Sequence, residues 1–145
     1  MKPSSERIDP KTGRYLPFIY PEEIPYWEGL KARTLKLQRC NACNHVWYPI
    51  GPVCPKCLSS NMRWDTMSGR GVIHNFVVYH KAWMPFLEKR LPYAVVQVQL
   101  EEGPRLTTNM MDTPLEDVTI GLPVEAVYED VTDEITLIQF RARKV

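Results

Sequence analysis

Cys40-Asn41-Ala42-Cys43 and, ten residues further on, Cys54-Pro55-Lys56-Cys57 decide how this chain is built. Two residues between the cysteines of a pair let a tight turn aim both sulfurs at one ion, and two such knuckles complete a tetrahedral thiolate site. Cys40, Cys43, Cys54 and Cys57 are therefore read as the ligands of one structural zinc ion. With four protein ligands and no open position, the metal would supply folding energy and no Lewis-acid catalysis. An iron site with the same ligands and a redox dithiol pair are the alternatives. Gly51-Pro52 sets the approach to the second knuckle, and His45, Trp47 and Tyr48 are placed to pack around the sulfurs. His45 is read as a neighbour of the site, since four cysteines already fill the shell.

Downstream of the second knuckle lies a series of short segments rich in β-branched and aromatic residues and punctuated by turn residues. Strands are expected at Val72–Tyr79, Tyr93–Leu100, Arg105–Met111, Val124–Glu129 and Glu134–Arg141. Glu102-Gly103-Pro104 makes the turn into the third, and Asp112–Asp117 reads as an N-capped helical turn between the third and fourth. Five strands with a small helical element in that place are the pattern of an OB-type barrel. Gly69-Arg70-Gly71 is not a phosphate loop, because a strand and not a helix follows it.

Upstream, Thr34–Arg39 alternates Leu35 and Leu37 with polar neighbours, a strand leading into the first knuckle. The stretch from Pro21 to Thr34 places acidic residues before Ile24, Trp27 and Leu30 at three-residue spacing, a short amphipathic helix weakened by Gly29. Residues 1–21 carry Pro3, Pro10, Pro17 and Pro21, which exclude a long helix, yet Tyr15, Leu16, Phe18, Ile19 and Tyr20 are too apolar for a free linker. This arm is expected to lie on a surface, either its own domain or a partner protein. The chain is thus read as mainly β: an N-terminal arm and helix (1–38), a zinc ribbon (39–66) and a five-stranded OB-fold domain (67–145).

Composition narrows the function. A formal net charge of +1 over 145 residues, with no block of like charge, makes no strong electrostatic claim on a polyanion. Met1–Pro10 is polar with no apolar core of a signal peptide, and no run approaches the ~18 apolar residues of a membrane span, so the chain is read as cytoplasmic. A reducing compartment makes metal ligation the expected use of four cysteines, ahead of two disulfides. With the thiols committed, no nucleophile remains and no serine sits in a G-x-S-x-G elbow. His74 and His80, in or just after the first barrel strand, are read as packed or solvent-facing and not as general bases.

Tyr26-Trp27-Glu28-Gly29-Leu30, the knuckle segment LQRCNACNHVWYPIGPVCPKC, SGRGVIHNFVVYH, PYAVVQVQLEEGPRLTTNM and IGLPVEAVYED together resemble the thiolase-associated proteins that pair a rubredoxin-like zinc ribbon with an OB-fold. The likeness covers roughly residues 22 to 143. It implies a small non-catalytic subunit of a thiolase or acyltransferase complex, or of a related aldolase, that helps hold an acyl-CoA. The catalytic residues would lie on a thiolase-fold partner in a hetero-oligomer. One branch of that family serves a thiolase cleaving 2-benzoylsuccinyl-CoA, and this chain has its size and layout. The arm before residue 22 is longer and more aromatic than the likeness requires.

A CoA thioester needs apolar walls for its pantetheine and acyl chain and cations for its phosphates. On that basis Lys81, Trp83, Met84, Phe86, Lys89 and Arg90, between the first two barrel strands, are matched to acyl-CoA binding. The alternative is that Trp83 and Phe86 plug one end of the barrel. Asn109 fits the family's asparagine at the end of the third strand, and Arg70 lies in the Gly-Arg-Gly entry to the first. The competing function is a single-stranded nucleic-acid binder whose barrel face stacks bases on Phe76, Tyr79 and Tyr93; the near-neutral charge opposes it. An autonomous thioester enzyme would need a nucleophile that the sequence does not offer.

Overall fold

A computed structural model describes residues 7–144. Met1–Glu6, which include Pro3 and most of the polar N-terminal stretch, and Val145 lie outside the described residues. The arm doubles back on itself, with Ile8 bridged to Tyr15 and the Asp9 carboxylate accepting from Lys11 N and Thr12 Oγ1. A short 3-10 turn at Pro21–Glu23 then delivers the chain to helix α1, Ile24–Lys31. The helix buries Tyr26, Gly29 and Leu30, while Ile24 is 43 % exposed and Trp27 half-buried. The expected Ile24–Trp27–Leu30 face is thus displaced: the i, i+4 pair Tyr26 and Leu30 meets the core. Gly29, expected only to weaken the helix, is needed, because a Cβ there would stand 2.8 Å from the Thr34 carbonyl where the chain reverses.

β1 (Lys36–Cys40) is the centre of a three-stranded antiparallel sheet, flanked by β2 (Val46–Trp47) and β3 (Met62–Thr66). Neither flanking strand is evident from periodicity. Arg39 Nε reaches Asp65 Oδ2 at 2.6 Å across the β1–β3 pair, and the guanidinium holds the Asp65 carboxyl below its ordinary range.

The remaining strands are β4 (Arg70–Tyr79), β5 (Tyr93–Leu100), β6 (Arg105–Asn109), β7 (Pro123–Asp130) and β8 (Thr136–Ala142), in the antiparallel order β6-β5-β4-β7-β8. β4 serves two neighbours. Its first residues, Arg70–Val72, pair with β7, while Gly71–Tyr79 run along β5 across an irregularity between Ile73 and Asn75. Gly71 sits where β4 is paired on both sides, and a Cβ there would lie 2.3 Å from the Gln99 carbonyl oxygen, so no larger residue fits. β5 points Ala94, Val96, Val98 and Leu100 inward. A parallel bridge between Met110 and Phe140, with Met111 N donating to Phe140 O at 2.7 Å, brings β6 to β8 and nearly closes a five-stranded OB-type barrel.

Two connections differ from the sequence expectation. Leu115–Asp117 forms a 3-10 turn after Pro114 with no side-chain cap. Thr113 Oγ1 donates to Met111 O and accepts from Ala142 N, so it ties the turn to β8 and does not cap a helix. Pro85–Arg90, between the first two barrel strands and assigned no element from sequence, winds into a 3-10 helix that buries Leu87. One apolar core joins Leu30, Leu35 and Leu37 to Val98, Leu106 and Phe140, so helix, ribbon and barrel share it. Among the described residues no helix is long and apolar enough to cross a membrane.

Candidate functional site

The two knuckles are built alike. Cys40 N donates to His45 O and Asn44 N to Cys40 O; Cys54 N donates to Ser59 O and Leu58 N to Cys54 O. Each turn closes on a residue in the left-handed region, Asn44 at φ 66° and Leu58 at φ 64°. The four sulfurs all lie within 4.8 Å of one another, with Cys40–Cys57 at 3.5 Å and Cys43–Cys54 at 3.6 Å. The backbone N–H groups of Cys43 and Ala42 point at Cys40 Sγ and hold that thiol down to about 6. At Cys57 a backbone bond from Ser59 lowers the thiol, but the sulfurs of Cys40, Cys43 and Cys54 outweigh it and push the group up to about 12. Four sulfurs so crowded can all be thiolates only with a cation between them, and this donor set fits a closed tetrahedral zinc ion. Trp47 packs against Cys40 and Cys54, and the buried Gln38 side chain accepts from Gly51 N at 2.9 Å, fixing the approach to the second knuckle. Tyr48 instead turns toward Tyr26, ring centroids 6.1 Å apart.

A second feature opens at the mouth of the barrel. A cleft of about 310 Å³ is walled by Phe86, Leu87, Tyr93, Met110, Met111 and Leu115, with Arg14, Arg90, Asn109 and Asp112 among its polar lining. Phe86, Arg90 and Asn109 are thus brought together, whereas the other matched residues are not. Lys81 Nζ lies 4.5 Å from the Trp83 ring centre, and Trp83 is 70 % exposed, so it plugs nothing; Leu87 is the residue buried there. Met84 is half-buried and Lys89 exposed, both outside the cleft lining. Arg70 stands at the opposite end of β4, paired with Glu101 at 3.4 Å.

Arg14 was invisible from sequence, because its partner lies 115 residues away. The arm buries it at the cleft, where its guanidinium binds Glu129 and stands 5.5 Å from the Phe86 ring centre. Burial raises the Glu129 carboxyl, but Arg14, Gln139 and Arg90 together hold it below its ordinary value. Arg90 lies 3.9 Å from the Glu129 oxygen already taken by Arg14 and 5.8 Å from the Phe86 ring centre, which leaves it the less committed cation. His74 and His80 are exposed, and neither approaches the thiol cluster. Tyr79 and Tyr93 stack on each other at 5.4 Å, so one face of each ring is already covered, and Phe76 packs against the core.

The fold and the thiol cluster together define a small protein in which a thiolate zinc ribbon is fused to an OB-fold barrel. Comparison with known sequences gives that class its family. The description "ChsH2, rubredoxin-like zinc ribbon domain" matches residues 27–63, and "ChsH2, C-terminal OB-fold domain" matches residues 64–129. A DUF35 domain-containing scaffold protein of Methanocaldococcus jannaschii is 36 % identical over 110 residues, covering 74 % of this chain and 77 % of that protein. The chain therefore belongs to the DUF35 family of ChsH2-type zinc-ribbon and OB-fold proteins. It is also 37 % identical over 134 residues to a protein named probable enoyl-CoA hydratase alpha subunit from Thermomonospora curvata, covering 91 % of this chain but only 41 % of that relative. Among solved structures, the one titled Ltp2-ChsH2(DUF35) aldolase superposes with a TM-score of 0.78 at 35 % identity, covering 88 % of this chain and 98 % of that one.

Proposed function

We propose that this chain is a non-catalytic accessory subunit that holds one end of an acyl-CoA thioester beside a partner enzyme of thiolase or aldolase type, with one zinc ion on Cys40, Cys43, Cys54 and Cys57. The observation that carries the reading is the cleft in which Phe86, Arg90 and Asn109 converge on an apolar floor. Relatives support it: one is named a scaffold protein, one an enoyl-CoA hydratase alpha subunit, and the structural neighbour is titled an aldolase containing two named components. The cleft lies at the lower end of the ~300–1,000 Å³ usual for ligand pockets, room for part of such a ligand and not all of it. The remainder must be held elsewhere, as at an interface. Phe86, Leu87, Met110 and Leu115 exclude water from the apolar part, while Arg90, with Lys81 and Lys89 outside the lining, offers charge-assisted bonds to phosphate or carbonyl oxygens.

Binding of a CoA thioester to the assembled complex tests this. Phe86→Ala should weaken it by about tenfold through lost apolar contact, ~1.4 kcal/mol. The double change Lys89→Ala and Arg90→Ala should weaken it more at low than at high salt, since screening already weakens exposed ion pairs. Unchanged affinity and turnover in both assembled variants would place the ligand elsewhere. Thioester turnover by the isolated chain, following the protein through successive columns, would overturn the non-catalytic role.

A further inference from the structure

The arm and helix carry more apolar surface than the fold buries. Ile24 is 43 % exposed and Tyr20 is 49 % exposed. Between arm and helix, Ile19, Ile24 and Trp27 line a groove of about 270 Å³, completed by Glu28, Lys31 and Glu134. Trp27 is fixed there, because its indole N–H donates to Glu23 Oε2 at 3.1 Å.

The rim of this groove is acidic. Glu28 and Glu134 of its lining are exposed, and neither is ion-paired among the described residues. The lining also holds one cation, Lys31, whose Nζ is turned to Asp133 O at 2.7 Å. Two carboxylates against one ammonium leave a net negative rim around an apolar floor, in a chain whose formal net charge is +1.

We propose that the groove between arm and helix docks a segment of the partner protein that presents one or two apolar anchor side chains flanked by lysine or arginine. The volume decides the number of anchors, since it holds one or two side chains and not the face of a long helix. Tryptophan in a pocket is a favoured anchor for protein contacts, and complementary charge at the rim sets register and encounter rate. The inference rests on the accessory-subunit reading, because it needs a partner.

Zero-length carboxyl-to-amine crosslinking of the complex, isolated with the full zinc-loaded chain from cells that make it, tests the site. Glu28 or Glu134 should join a lysine of the partner next to apolar residues. Ile24→Glu and the double change Glu28→Lys and Glu134→Lys, all at exposed positions, should each cut partner affinity at least tenfold with zinc content and circular dichroism unchanged. Raising salt from roughly 50 to 500 mM should weaken the unaltered pair and not the charge-reversed one. A partner that stays bound to all variants and crosslinks elsewhere overturns the docking site alone. Crosslinks from Glu28 or Glu134 to Lys81 or Lys89 of a second copy overturn the partner in favour of self-association. If no partner is recovered, the accessory-subunit reading falls with it.

Discussion

At the scale of single residues, the knuckles show how a local motif can be legible while its stress is not. The paired Cys-x-x-Cys spacing marks the four clustered sulfurs, because two-residue spacing dictates a turn. The strain at the end of the second turn was not legible, since nothing in sequence marks Leu58 as the counterpart of Asn44. Asn tolerates the left-handed region, whereas Leu there costs ~1–2 kcal/mol. Leu58 is 73 % exposed, so its side chain returns little packing. Leu58→Asn should therefore recover roughly half of that ~1–2 kcal/mol penalty. It would be read as a higher chelator concentration needed to remove the metal. An unchanged or lowered midpoint would mean that the leucine makes a contact worth more than its strain. Arg14 teaches the converse. It sits in a polar stretch with no periodic signal, and only the fold of the arm onto the barrel gives it a role, so the cleft's lining was legible only in part: Phe86 and Arg90 from their chemistry, Asn109 from the family resemblance, Arg14 from neither.

Among elements, the barrel strands were legible because each alternates or runs apolar between turn residues, and β5 matches its expected limits of Tyr93 and Leu100. β3 was not, because Met62-Arg63-Trp64-Asp65-Thr66 puts charge at two of five positions, where Arg39 meets Asp65 across the strands and Arg63 meets Asp65 at 3.6 Å along the same strand. The helix was found but its buried face was misplaced, since the preceding 3-10 turn and the arm decide which side meets the core. The helix is clipped at its far end to the barrel: Arg33 donates to both Asp130 oxygens at 2.8 and 2.7 Å, and Thr136 Oγ1 to Oδ1 at 2.7 Å. Arg33 first, then Thr136, hold the Asp130 carboxyl well below the usual carboxylate range. With the folded value depressed, the clip contributes fully above the unfolded value near 3.8 and is lost as pH falls through that value toward the folded one. Arg33→Gln should thus lower the melting temperature at about pH 7, and the difference from the unaltered chain should shrink on acidification below about pH 4. A difference that is constant down to about pH 2 would show that Arg33 acts through packing and not through Asp130.

For the whole molecule, the question is whether the ribbon is an independent unit stapled by metal or a part of the barrel's own core. Beyond its sulfurs the knuckle cluster contains only Trp47 and the half-buried Met62, too little to hold residues 40–57 without a cation. Its base strand is different, because Leu35, Leu37 and Val46 pack in the same continuous core as Val98 and Phe140. Structural zinc carries an apparent ~10–16 kcal/mol of folding free energy in small fingers, more than a typical domain's entire margin of ~5–15 kcal/mol. Chelation, or Cys54→Ser, should therefore abolish hydrogen-exchange protection across residues 40–57. It should also lower the protection of barrel amides in β4 and β5, because β1 loses one of its two anchored ends and loosens the shared core. If barrel protection and melting temperature are the same with and without metal, Leu35 and Leu37 are held by the helix and barrel alone, and the zinc organises only the knuckles.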